Sequence, residues 1–263
     1  MKKYELTGDT IERYGVTLLR IKALRDFGNI LEGATGGYIE KENNLSHEGT
    51  CWVYGSAEVS GSAKVYGSAK VSGYAEVYGS AEVYGYAKVY GSAEVYGSAK
   101  VYGSAKVSGS AEVSGSAEVS GYAEVSGSAK VYGSMCVKYG SVSEPYNDLR
   151  DPDYIANSLG VFPIKGVYYL YKRVWRDSSG SWRSDHDSKF RYELNCESLV
   201  ENPDEDDTTS CSAGIHVSTP FYWSTGDALI AVSVKVEDIV TCLEGKLRVR
   251  AATALDEVKY YGK

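Results

Sequence analysis

Val53-Tyr54-Gly55-Ser56-Ala57-Glu58 is the first copy of a six-residue phrase that runs without insertion to Cys136. Fourteen copies follow one another in the pattern Val-(Tyr/Ser)-Gly-(Ser/Tyr)-Ala-(Glu/Lys), the last ending Met135-Cys136. A strict short period specifies a stack of like coils rather than a globule, because one copy buries too little surface to stand alone. Within a copy, Ala57, Glu58 and Val59 alternate small apolar, charged, apolar. That is the period-two signature of a strand with one buried face. Val is β-branched and suits extended backbone. Gly55 supplies a position where φ can turn positive, so the chain can round a corner. A flexible Gly/Ser linker would not hold Val and Ala in register over so many copies.

Val at one position with Ala four later resembles the hexapeptide-repeat, left-handed β-helix family, in which three hexads close a triangular coil. In many members the Gly follows the Val directly; here it sits two residues after. The resemblance implies residues eighteen apart in a column, with a flatter coil of two hexads as the rival. With three hexads per coil, one face carries Glu58, Glu76, Glu94, Glu112 and Lys130. The second carries Lys64, Glu82, Lys100, Glu118 and Cys136, and the third Lys70, Lys88, Lys106 and Glu124. Like charges in a ladder repel, which counts against this register. The third face is also expected to collect Tyr66, Tyr84 and Tyr102 in one column, with Tyr86 and Tyr122 in another. Tyr pairs a rigid apolar body with a polar tip and is enriched at interfaces. These lysines and tyrosines are therefore candidate binding residues, for an anion, a partner protein or a second copy of the chain. The plainer reading is that stacked Tyr simply stabilises the solenoid.

An open-ended stack of strands needs its edges blunted. Residues 1–34 read as an N-terminal cap with a hairpin over Thr10–Tyr14 and Val16–Leu24, turning at Gly15. Degenerate hexads begin near Thr35: Gly37 and Ile39 fall at the Gly and Ala positions, and Leu45, Gly49 and Cys51 also fall in frame. Coiling is expected over 35–142. Residues 143–163, with Pro145, Pro152 and Pro163, read as a linker, and 164–263 as a small α+β domain. The passage Ile21–Gly28, Gly36–Glu40, Asn44–Gly49 and Cys51–Gly55 resembles a leader found on hexad-repeat proteins of tailed bacteriophages and prophages. That implies a bacterial host cytoplasm during infection or lysogeny.

Strand-like runs in the last hundred residues are Val167–Val174, Ile215–Ser218, Ala228–Val236 and Lys246–Ala251, with an acidic solvated loop over Val200–Ser210. Cys211–Ser218, Ala228–Val234, Asp238–Val240 and Lys246–Arg250 resemble a small domain at the C-termini of phage accessory proteins, including rapid-lysis B-type proteins. Gly214-Ile215-His216-Val217-Ser218 with the later Tyr222 is similar to a strand of ADP-ribosyltransferase-like folds. This likeness implies a nucleotide site with His216 and Tyr222 as candidate residues, although no catalytic Glu stands in the matching place. The plainer reading of His216 is a strand residue satisfied by backbone.

The chain carries net charge −7, but the array holds seven Glu and six Lys, so the excess lies in the flanks. Non-specific nucleic-acid binding is not expected. Five cysteines without close pairs point to a reducing compartment and away from zinc. No signal peptide or membrane-spanning run is read. Between Val53 and Cys136 there is no His, Asp, Asn, Arg, Thr, Pro or Trp. Acyl transfer or metal-dependent hydration on a hexapeptide helix needs His on or looping from the coils, and the array offers none. The expectation is a non-enzymatic scaffold or binding protein without catalytic residues, cofactor or metal. It would act on a bacterial host factor such as a defence component. The alternative is nucleotide binding or ADP-ribosyltransferase-like activity in the C-terminal domain.

Overall fold

The structure is a computed structural model that describes residues 2–178, 181–187 and 189–258. Residue 1 of the expected cap and residues 259–263 of the expected C-terminal domain lie outside the described residues. The chain divides into two units, Met1–Asn147 and Asp148–Lys263, and each is described by itself.

The first unit is a parallel β-solenoid of about six turns. Each hexad contributes a two-residue strand of charged residue plus Val, as in Lys88–Val89, then a turn at Gly and the residue after it. Strands three hexads apart pair in parallel, Lys70 beside Lys88 beside Lys106 and Glu76 beside Glu94 beside Glu112. Three hexads therefore close a coil, and the strands form three parallel sheets along the column. A hexad in the middle of the column sends three backbone bonds to the next coil: Lys88 N to Ala105 O at 2.9 Å, Tyr90 N to Val107 O at 2.9 Å and Ser92 N to Gly109 O at 2.8 Å. Val and Ala of every copy are at most 1% exposed, so the interior is a dry column of small apolar side chains.

The like-charge ladder does not break this register, because its members find other partners. Arg13 Nε donates to Glu58 Oε1 at 2.9 Å, Tyr78 Oη donates to Glu94 at 2.9 Å, and Lys130 pairs with Glu112 at 2.9 Å. Among the described residues Glu76 has no ion pair. Burial, and then the charges of Glu58 and Glu94, push its carboxyl above the usual range, and the charge of Arg13 only partly opposes them.

The N-terminal strands Tyr4–Arg13 and Val16–Ala23 form the expected hairpin, turned by Tyr14 and Gly15, both at positive φ. Thr35–Ile39 joins it antiparallel and pairs in parallel with Glu58–Val59, so the hairpin extends one solenoid sheet. Gly49 and Cys51 hold the expected frame, and Trp52–Val53 pairs with Lys70–Val71. Gly37, Ile39 and Leu45 do not: Gly37 lies against Ala57, at an Ala rather than a Gly position, and Ile39 and Leu45 lie opposite Val59 and Val65, at Val rather than Ala positions. Two extra residues between Leu45 and Gly49 account for the shift, since Ile39 and Leu45 keep the spacing of Val59 and Val65 whereas Gly49 already lies against Gly67. The 3-10 turn Glu42–Asn44 rounds the corner before them. Asn44 seals it by donating to Gly61 O and Ala63 O. Beneath the hairpin, Tyr4 donates to Leu45 O at 2.8 Å, and Phe27 packs edge-on to Trp52. At the other end the last paired strand is Ser141–Val142.

The stretch read as a turn-rich linker contains a helix, Pro152–Leu159. Asp151 caps it by accepting from Asp153 N at 2.8 Å, Pro152 opens its first turn, and Gly160 ends it at φ 73°. The second unit is built on an antiparallel sheet. Its strand order is Glu197–Leu199, Ala251–Glu257, Ala228–Lys235, Val167–Arg176, Ile215–Ser218, Lys246–Val249 and Ile239–Leu243. The strands Ile239–Leu243 and Ala251–Glu257 were not among the expected runs. Trp182–Arg183 and Arg191–Tyr192 form a small ribbon on the end of Val167–Arg176.

Candidate functional site

In Val167–Arg176, every second residue points into the core: Tyr168, Leu170, Lys172 and Val174 are all buried. Strand alternation thus puts a lysine where an aliphatic residue belongs. Lys172 Nζ donates to His216 O at 3.0 Å and lies 5.1 Å from the Trp223 ring and 5.8 Å from that of Tyr192. Burial above all, with the nearby charge of Lys246 adding to it and Asp185 opposing it, pulls its ammonium down to about 8.

Beyond Ile215–Ser218 in the sheet, the strand Lys246–Val249 is buried throughout, cations included. Lys246 Nζ donates to Cys211 Sγ and to Tyr222 Oη, each at 3.1 Å. Burial would lower this ammonium, but those two bonds outweigh it and raise it. Arg248, 1% exposed, donates Nη1 to Asp204 O at 2.6 Å and Asp206 O at 2.8 Å, and Nη2 to Thr209 O. It thereby ties down the acidic loop expected to be solvated. Gly214 lies flat on Arg248: a Cβ there would stand 2.6 Å from Arg248 Cγ.

These groups border a cavity of about 500 Å³ lined by Lys172, Lys246, His216, Cys211, Trp223 and Tyr192 among others. His216 Nε2 is buried without a hydrogen-bond partner, and burial first, then Lys172, Lys246 and Arg248, holds the imidazole down to about 3. The ring is therefore neutral. The carboxylates on the wall are Asp185 and Asp187, and no glutamate is among the lining residues described. Asp185 already accepts from Trp175 Nε1 at 2.6 Å and Thr225 Oγ1 at 3.1 Å.

Of the expected C-terminal residues, His216 lines the cavity, while Tyr222 acts through its bond to Lys246. Sequence reasoning missed Lys172, Lys246 and Trp223. The signal for Lys172 was present, as a lysine in phase with Tyr168, Leu170 and Val174.

On the solenoid, Lys70, Lys88, Lys106, Tyr86 and Tyr122 come together along one groove of about 550 Å³, with Tyr54, Thr50 and Asn29. Tyr86 and Tyr122 are 70% and 85% exposed. Tyr66, Tyr84 and Tyr102 are not part of it. They stack at 4.8 and 5.0 Å, nearly parallel, but Tyr66 and Tyr102 donate to Glu82 and Glu118 at 3.0 Å. The stack follows the strands of the second face and turns its phenols to that face's carboxylates, so it leaves the third face to the lysines.

No family model matches the chain. Over 39 residues it is 44% identical to the uncharacterized acetyltransferase YdcK of Escherichia coli (strain K12), a match covering 15% of this chain and 12% of that protein. The match thus spans a small part of the relative's length. Together with the eighteen-residue register, it fits a hexapeptide-repeat β-helix. Among the described residues, no helix is long and apolar enough to cross a membrane, and no group of His, Cys, Asp and Glu could hold a metal ion.

Proposed function

We propose that the chain is a non-enzymatic, phage-encoded binding protein of the bacterial cytoplasm. Its β-helical column engages an acidic surface on a host protein, such as a defence component, or on a second copy of itself. The observation that carries this reading is the groove of Lys70, Lys88 and Lys106, flanked by exposed Tyr86 and Tyr122. The lysines belong to successive coils and repel one another at the roughly 4.8 Å spacing of paired strands. Of the three, only Lys106 has a carboxylate partner among the described residues, Glu124 at 2.5 Å. An anionic surface relieves that repulsion, and the tyrosines supply contact area at little entropic cost. The leader's likeness to phage hexad-repeat proteins motivates the host. The acetyltransferase description belongs to the relative and is not carried over, because residues 53–136 hold no His.

The test is capture from bacterial lysate by the full chain and by its Lys70→Glu/Lys88→Glu/Lys106→Glu variant, followed by reconstitution with the purified partner at low and high salt. The reading expects a partner that the wild type retains, the variant loses and salt weakens. If neither chain retains a protein and light scattering shows no self-association, the reading falls.

A further inference from the structure

The cavity of the C-terminal domain is bordered by two buried cations, one of which, Lys172, has no ion-pair partner among the described residues. An ammonium taken out of water is costly unless it is paired. Lys172 is 6% exposed, yet among the described residues no carboxylate lies within ion-pairing distance, and one acceptor, His216 O, serves its three N–H donors. Lys246, 5% exposed, is anchored on its protein side by Cys211 and Tyr222 and stands 3.5 Å from the Glu244 carboxylate. Both ammonium groups border the same space, and Lys172 feels the charge of Lys246. Beside them lies the uncharged His216 ring with its unpartnered Nε2. The rest of the wall is aromatic, with Phe190, Tyr192 and Trp223. A volume of about 500 Å³ is far larger than a structural water requires and falls within the range of small-molecule sites.

We propose that this cavity binds a small anion joined to a planar ring, a nucleoside phosphate being the class that fits both halves. The phosphate lies between Lys172 and Lys246 with His216 Nε2 as a neutral hydrogen-bond partner, and the base lies against the aromatic wall. Charge selects the anion, because Lys172 gains the charged partner it lacks and Lys246 adds a second contact. Aromatic faces select a flat ring without reading its identity. The site is separate from the groove on the solenoid, and neither proposal depends on the other.

Calorimetry on the full chain tests it with purine and pyrimidine nucleoside 5′-mono- and diphosphates. The parent nucleosides and inorganic phosphate serve as separate arms. One or more nucleotides should bind one to one, at least about tenfold more tightly than either half alone. Lys246→Gln should weaken that binding about tenfold or more. Nucleotide should also change the tryptophan fluorescence, and Trp223→Phe should abolish most of that change. The fluorescence readout stands whether or not a Lys172 variant folds. The proposal is overturned if no nucleotide in the panel binds. It is equally overturned if the nucleoside or phosphate alone binds as tightly, if Lys246→Gln binds like the wild type, or if Trp223→Phe keeps the fluorescence change.

Discussion

Gly85 lies one coil from Gly103, and a Cβ on Gly85 would stand 3.0 Å from both the nitrogen and the oxygen of Gly103. Its φ is +71°, so the position demands glycine twice over, for backbone conformation and for the approach of the next coil. Gly133 has φ +58° but nothing within 4 Å of a built Cβ. Gly133→Ala should therefore cost about 1–2 kcal/mol for the left-handed conformation alone. Gly85→Ala should cost about 1–3 kcal/mol more, because backbone cannot yield as a side chain can. Urea unfolding of the two variants measures the difference, and equal losses would show that coil spacing does not require the glycine.

The Tyr102 hydroxyl donates to Glu118 Oε2 at 3.0 Å. Burial first, with this bond and the Glu118 charge adding and Ser120 opposing, pushes the phenol up to about 12. An acid whose folded pKa lies above its unfolded value of 10 contributes stability that is intact below pH 10 and lost as pH rises towards 12. Ultraviolet titration of the tyrosines should show a late-ionising class that includes Tyr102. Glu118→Gln should move part of that class to lower pH, and an unchanged titration would remove Glu118 as a cause.

His216 is held near 3, well below its usual 6.5. Between those values the unfolded chain binds a proton that the folded chain refuses. The stability of the C-terminal domain should therefore be full above pH 6.5 and fall as pH drops towards 3. His216→Gln lacks this titration. The difference in Tm between wild type and variant, followed from pH 7 to pH 4, should change sharply below 6.5. A constant difference would show that the imidazole is not buried in its neutral form.

Lys172 should be a residue whose removal stabilises the protein. The ammonium is held down to about 8, which means the fold disfavours its charged form. Lys172→Met keeps the length of the stem and removes the desolvated charge at the loss of one bond, to His216 O. Tm at pH 7 should rise while nucleotide binding weakens, the trade expected of a residue kept for function. A fall in Tm with unchanged binding would make Lys172 structural.

The legible parts of this protein are those in which a residue's environment repeats or lies nearby in the chain. Val89 and Ala87 recur in register, so their inward position could be read from one hexad and extended to all. The helix Pro152–Leu159 carried readable signals in Asp151, Pro152 and Gly160, yet Asp-Pro and Gly also mark turns, and the turn reading prevailed. Gly37, Ile39 and Leu45 were misplaced because a fixed frame was carried back across the segment between Leu45 and Gly49, where the chain holds two extra residues.

From the amino-acid pattern alone came the coil, since it depends on short-range alternation and a constant period. The three-hexad closure, and with it the columns of Glu, Lys and Tyr, was what the family likeness implied, and the eighteen-residue strand pairing bears that closure out. Tertiary structure alone decided that Tyr66, Tyr84 and Tyr102 turn to Glu82 and Glu118 while Tyr86 and Tyr122 flank the lysines, because side-chain direction at a corner depends on which partner the next coil supplies. It alone brought Lys172, His216 and Lys246 to one cavity. Those residues lie on three strands that become neighbours only when antiparallel pairing joins distant segments, and no local pattern encodes which distant strand a given strand will meet.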